Sequence, residues 1–174
     1  FKIYIIDEAH MLTKEAWNAL LKTLEEPPQS VKFFFATTEP HKIPPTILSR
    51  CQKFSLRRIS PHLIVTKLRK IAQNLEVTVD DASLFRLADY AEGALRDAES
   101  FFDQLITFSK GVITESVLEE VLGIAPFEWI VELDRAIATA EVATAYKISD
   151  RIFYDGKDIG HFIEDLCEHF KTLL

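Results

Sequence analysis

The hydrophobic period of this chain changes once, near Ser60-Pro61, and that change restricts the folds open to it. Before it, apolar residues fall in short, nearly unbroken runs, Ile3-Tyr4-Ile5-Ile6 and Val31 to Thr37. Runs of this length, rich in β-branched and aromatic residues, predict strands buried in a parallel layer, which are apolar on both faces. Phe33, Phe34 and Phe35 therefore read as strand core rather than as a stacking platform. Between the runs, Trp17, Leu20, Leu21 and Leu24 recur at helical spacing; Thr13 is placed to cap that helix and Pro27-Pro28 to end it. A third short strand is expected at 52–56. Strand, helix, strand implies a parallel α/β layer.

From Ser60-Pro61 onward the period is 3.6, so the remainder is expected to be all-α. Ile64, Leu68, Ile71 and Leu75 stripe one helix. Asp80 caps the next, which carries Leu84, Leu87, Ala88 and Ala91 and stops at Gly93. Leu95, Ala98, Phe102 and Leu105 face a third, Gly111 ends it, and Thr114 caps a short helix closing at Gly123. Three more are predicted over 126–174, the last striped by Ile159, Phe162, Ile163, Leu166, Phe170 and Leu173. The chain opens at Phe1 inside an apolar run and ends inside a helical pattern, so both ends are expected to be cuts in a longer protein.

Composition narrows the class. With 174 residues, 48% hydrophobic and 27% charged, the chain has enough apolar surface for one or two compact units. No run of about 18 apolar residues and no leader-like segment occurs, so a cytoplasmic location without membrane contact is expected. Cys51 and Cys167 are then two reduced thiols. A net charge of -7 argues against an autonomous DNA-binding domain, whose affinity comes from clustered Lys and Arg. Contacts with nucleic acid should be local or supplied by neighbouring subunits.

The first strand delivers Asp7-Glu8 to its C-terminal edge, where open α/β sheets bind ligands. This is Walker B placement: an Asp there can hold Mg²⁺, and the adjacent Glu can orient or deprotonate an attacking water, a role worth about 10² to 10⁴ in rate. A solvated acidic turn would look the same in isolation. His10, next in line, reads as a polar contact rather than a metal ligand or base, and Glu25-Glu26 as a helix-end surface pair.

Asp7-Glu8-Ala9-His10 also spells a helicase motif, but the Ser-Ala-Thr strand end and arginine-rich motif of that family are missing. The chain instead reads Leu24-Glu25-Glu26-Pro27-Pro28, Ala36-Thr37-Thr38-Glu39-Pro40, Ser49-Arg50-Cys51 and Gly93-Ala94-Leu95-Arg96-Asp97-Ala98. In order and spacing these strings resemble the signature of clamp-loader AAA+ ATPases, with wording closest to the bacterial gamma/tau family of DNA polymerase III. The resemblance runs from residue 1 to about 125 and is weaker beyond.

The resemblance implies roles by position. Asp7 would hold Mg²⁺ with ATP, and Glu8 would serve the attacking water. Thr38 would be sensor 1, with Thr37 as the alternative. Arg50 would be an arginine finger acting on the nucleotide of a neighbouring subunit, a device worth about 10³ to 10⁵ in turnover. Arg96 would be sensor 2, reading the γ-phosphate of its own subunit's nucleotide. Other clamp-loader subunits, a sliding clamp and primer-template DNA are the implied partners.

No Gly-x-x-x-x-Gly-Lys-Ser/Thr occurs; the one Gly-Lys pair, Gly156-Lys157, is followed by Asp158. The phosphate loop and a small zinc-binding insert are expected upstream of Phe1, and the chain alone is expected to be inactive. The fold expected is α/β plus all-α: residues 1–58 the C-terminal half of a RecA-like AAA+ core, 59–114 its helical lid, and 115–174 part of a helical collar. Two rivals stay open, another AAA+ DNA motor such as a branch-migration helicase, and a non-hydrolysing AAA+ interaction scaffold.

Overall fold

A computed structural model describes residues 1–109 and 111–173. The chain divides into two compact units, 1–56 and 57–174.

In the first unit, β1 (Lys2–Ile6) and β2 (Val31–Phe35) pair in parallel, Lys2 opposite Val31 and Ile6 opposite Phe35. The crossover is α1 (Lys14–Glu25), opened by the Thr13 hydroxyl, which accepts from the Ala16 N–H at 3.2 Å. A helix α2 (Pro45–Leu48) follows a single 3-10 turn. Because side chains alternate along a strand, Ile6 and Phe35 share the face that packs on Trp17, Ile43 and Ile47. Trp17 meets Phe35 at 5.2 Å between ring centroids.

The strands are not covered on both faces: Ile3, Ile5 and Phe34, on the side away from α1, are 60%, 74% and 57% exposed. One helical layer covers one side of a two-stranded sheet. Residues 52–56 form no strand, and Phe54 and Leu56 lie open. A strand exists through pairing, and the described residues offer this segment no partner.

The second unit is helical, with a minor β contribution. Helices α3 (Pro61–Asn74), α4 (Asp81–Tyr90), α5 (Leu95–Ser109) and α6 (Glu115–Leu122) enclose a core that includes Ile64, Leu68, Leu87, Phe102, Leu105 and Leu118. Each fully buried side chain of this size contributes about 1.5–3 kcal/mol. Two-residue strands β3 (Thr78–Val79) and β4 (Val112–Ile113) pair in parallel; runs so short leave no periodic trace in sequence. Asp80 caps α4 through its carboxylate, 2.6 Å from the Ser83 N–H, and Gly123 closes α6 in the left-handed conformation. Helices α7 (Phe127–Ala138), α8 (Val142–Tyr154) and α9 (Ile159–Leu173) share a separate core of Ala125, Ile130, Ile148, Ile152 and Phe162. Among the described residues no helix is long and apolar enough to cross a membrane.

Gly93 fixes the start of α5. Its φ is +82°, and a β-carbon there would lie 2.6 Å from Arg58 Cβ and 3.0 Å from the Ile59 carbonyl oxygen. The Ile59 N–H donates to the Gly93 carbonyl at 3.0 Å, tying the segment before α3 to the turn that presents Arg96.

Candidate nucleotide-hydrolysis site

The tips of β1 and β2 are joined beyond the ladder. The Ala36 N–H donates to the Ile6 carbonyl at 2.9 Å, and the Ala9 N–H donates to the Ala36 carbonyl at 2.8 Å. Asp7-Glu8 and Thr37-Thr38 therefore leave the same sheet edge side by side. Ala9 is fully buried beneath the turn, so the acidic residues are held outward.

Asp7 is exposed and accepts the Glu8 N–H at 2.9 Å through Oδ1, leaving Oδ2 for another partner. Glu8 has φ 45° and ψ 47°, a left-handed conformation that non-glycine residues avoid. Its Oε2 accepts from the Thr38 hydroxyl at 3.3 Å and lies 3.2 Å from His10 Nδ1. Thr37 is otherwise engaged: its hydroxyl oxygen accepts the Glu39 N–H at 3.0 Å and lies 2.9 Å from His10 Nδ1. Of the two threonines, Thr38 is the one turned toward the acidic pair.

His10 and Glu39 complete the group; His10 was read as a polar contact without its partners, and Glu39 was given no place in it. The His10 ring is 10% exposed, with Nε2 3.2 Å from Glu39 Oε2, so it bridges the two strand tips. The Lys42 ammonium, 2.8 Å from Glu39, holds that carboxyl below its usual range, with help from His10 and His41. The signal was a charged residue after each strand, which marks a polar edge but not which side chains meet.

Arg50 belongs to the same unit but stands in another cluster. Its Nη2 donates to Glu25 Oε1 at 2.7 Å; its Nη1 donates to the Thr46 carbonyl at 2.7 Å and to the Ser49 hydroxyl at 3.2 Å. Burial pushes the neighbouring Cys51 thiol up. Arg96, in the second unit, is exposed in the first turn of α5. A cation there opposes the helix dipole, so the position is not explained by helix stability.

Asp7 offers the hard, charged oxygen that Mg²⁺ prefers, and Glu8 has a carboxylate oxygen able to take a proton from water. Glu92, His161 and Glu164 of the second unit also approach one another, but Arg58 Nη1 already donates to Glu92 at 2.6 Å.

The family model described as DNA polymerase III, delta subunit, matches residues 1–60, and the clamp loader subunit ATPase lid domain of DNA polymerase III matches residues 63–111. The tau subunit of DNA polymerase III from Bacillus subtilis is 41% identical over the whole chain, which spans 31% of that protein. The gamma/tau subunit of Mycoplasma genitalium is 38% identical over 95% of the chain and 28% of its own length. The Escherichia coli tau subunit is 43% identical over 80% of the chain and 22% of its own length. Among solved structures, the Holliday junction branch migration motor RuvB of Thermotoga maritima superposes with a TM-score of 0.62 over 84% of this chain and 56% of that one, at 20% identity. At that identity the likeness shows the fold alone; together with the lid-domain match it gives an AAA+ fold with a helical lid. The relatives by sequence carry the identification: the chain belongs to the gamma/tau clamp-loader subunit family of DNA polymerase III.

Proposed function

We propose that this chain carries the water-activating and trans-acting parts of a clamp-loader ATPase, which in the full-length protein loads a sliding clamp onto primer-template DNA together with other loader subunits. The observation that carries this reading is the Thr38–Glu8 hydrogen bond between two strand tips, with Asp7 beside it and Thr37 occupied elsewhere. ATP with Mg²⁺ supplies the reactive phosphoryl group. Asp7, whose Oδ1 accepts the Glu8 N–H, would hold the cation. Glu8 orients the attacking water and takes its proton, Thr38 fixes the Glu8 carboxylate, and His10 braces both from below. Arg50 reaches the nucleotide of an adjoining subunit, and Arg96 senses the γ-phosphate of its own. Residues 1–58 serve as the second half of the nucleotide-binding core, 59–114 as the lid, and 115–174 as the start of the collar. By packing, α6 shares the core of α3 to α5, although it falls within 115–174.

The 174 residues include no phosphate loop, so they alone should turn over negligible ATP. The test uses the full-length protein in a reconstituted loader, with DNA- and clamp-stimulated hydrolysis measured for wild type, Glu8→Gln and Arg50→Ala. Each substitution is expected to lower stimulated turnover by at least about 10²-fold while the ring still assembles. A wild-type ring that never hydrolyses ATP would instead make the chain an interaction scaffold.

A further inference from the structure

Both ends of the Arg50 guanidinium fork are occupied within its own chain. Nη2 is held by Glu25, and Nη1 by the Thr46 carbonyl and the Ser49 hydroxyl. Such donors bind phosphate as well as carboxylate. Glu25 is also oddly placed for a helix. It is the last residue of α1, where a carboxylate faces the negative end of the helix dipole. Helix stability therefore does not account for an acid there; the ion pair with Arg50 is the compensating contact. The Arg50 and Glu25 side chains are 35% and 49% exposed, and ion pairs open to water to that degree are weak enough to exchange.

We infer that Glu25 is a positioning residue that restrains Arg50, an internal carboxylate occupying the finger until the nucleotide of an adjoining subunit displaces it. This rests on the reading of Arg50 as a trans-acting finger. A triphosphate carries more negative charge than one carboxylate, so a closing interface favours transfer of Nη2 from Glu25 to phosphate while Nη1 keeps its own-chain contacts. When the interface opens, Glu25 recaptures the guanidinium. The Thr46 and Ser49 contacts lie on the residue's own helix turn, and they aim the side chain in both states. Removing the Glu25 charge should therefore release a finger that is already aimed, raising turnover in the resting ring rather than the triggered one.

The experiment compares wild type, Glu25→Gln, Arg50→Ala and the double variant, each as full-length protein in the reconstituted ring, with ATP turnover measured without and with primer-template DNA and clamp. Glu25→Gln is close to isosteric and on the surface, and its thermal melt should match wild type. It is expected to raise DNA-independent turnover about two- to fivefold and to leave the stimulated rate within about twofold. In the Arg50→Ala background it should do nothing. A merely structural effect of Glu25 would move turnover in both backgrounds, which makes the double variant the discriminating measurement. Reduced stimulated turnover with Glu25→Gln, an unchanged DNA-independent rate, or an increase that survives in Arg50→Ala would each overturn the proposal. If Arg50→Ala alone leaves stimulated hydrolysis intact, the finger reading fails first and takes this proposal with it.

Discussion

Glu8 adopts a backbone conformation that costs an L-residue roughly 1–2 kcal/mol, and its carboxylate accepts from the Thr38 hydroxyl. Strain kept at such a place points to use rather than accident. Glu8→Gly should therefore stabilise the folded chain by roughly 0.5–1 kcal/mol, read as a higher melting temperature, while removing hydrolysis in the full-length protein. Equal or lower stability would mean that the turn is not strained. At this scale much was legible. Asp7 and Glu8 follow an apolar run and Thr38 follows another, so their places at a sheet edge came from strand physics, whereas the Thr38–Glu8 hydrogen bond was not foreseen. The His10 bridge to Glu39 and the Glu25 grip on Arg50 were not legible. Both join side chains far apart in sequence, where local pattern leaves many partners open.

Elements were read well where the code is local. Thr13 and Asp80 cap the helices that they precede, because an N-cap needs only the next three residues. Ser60 and Thr114 stand at the expected starts but make no capping bond, and Thr114 contacts the Ser116 hydroxyl instead. The segment 52–56 misled for the opposite reason: its composition suits a strand, yet strand formation depends on a neighbour that composition does not reveal. Gly93 is the glycine with most at stake, being both at positive φ and in close contact with Arg58 and Ile59. Gly93→Ala should cost about 1–3 kcal/mol, measurable by chemical denaturation, since the added carbon meets backbone and a Cβ rather than a flexible tip. A neutral result would show that the turn before α5 is free to shift, and that Arg96 is less firmly placed than the packing implies.

For the whole molecule, the single change of hydrophobic period near Ser60 falls close to the division at residue 57, because a layer of strands and a bundle of helices bury their apolar surface by different geometries. The open face of β1 and β2 was missed, since an apolar run signals affinity for a core but does not say that a second layer is present. The central claim is also a whole-molecule one: Glu8 works on the nucleotide of its own subunit and Arg50 on that of the next. In a ring assembled from head-to-tail neighbours, mixing settles it. Rings reconstituted from equal amounts of Glu8→Gln and Arg50→Ala subunits would contain some interfaces with an intact Glu8 on one side and an intact Arg50 on the other, roughly a quarter of those between copies of this subunit. The account predicts that DNA- and clamp-stimulated ATP hydrolysis, lost in each pure ring, returns in part in the mixed one. If the mixed ring stays as inactive as the two pure rings, both residues serve the same subunit's nucleotide, and the division of labour proposed here is wrong.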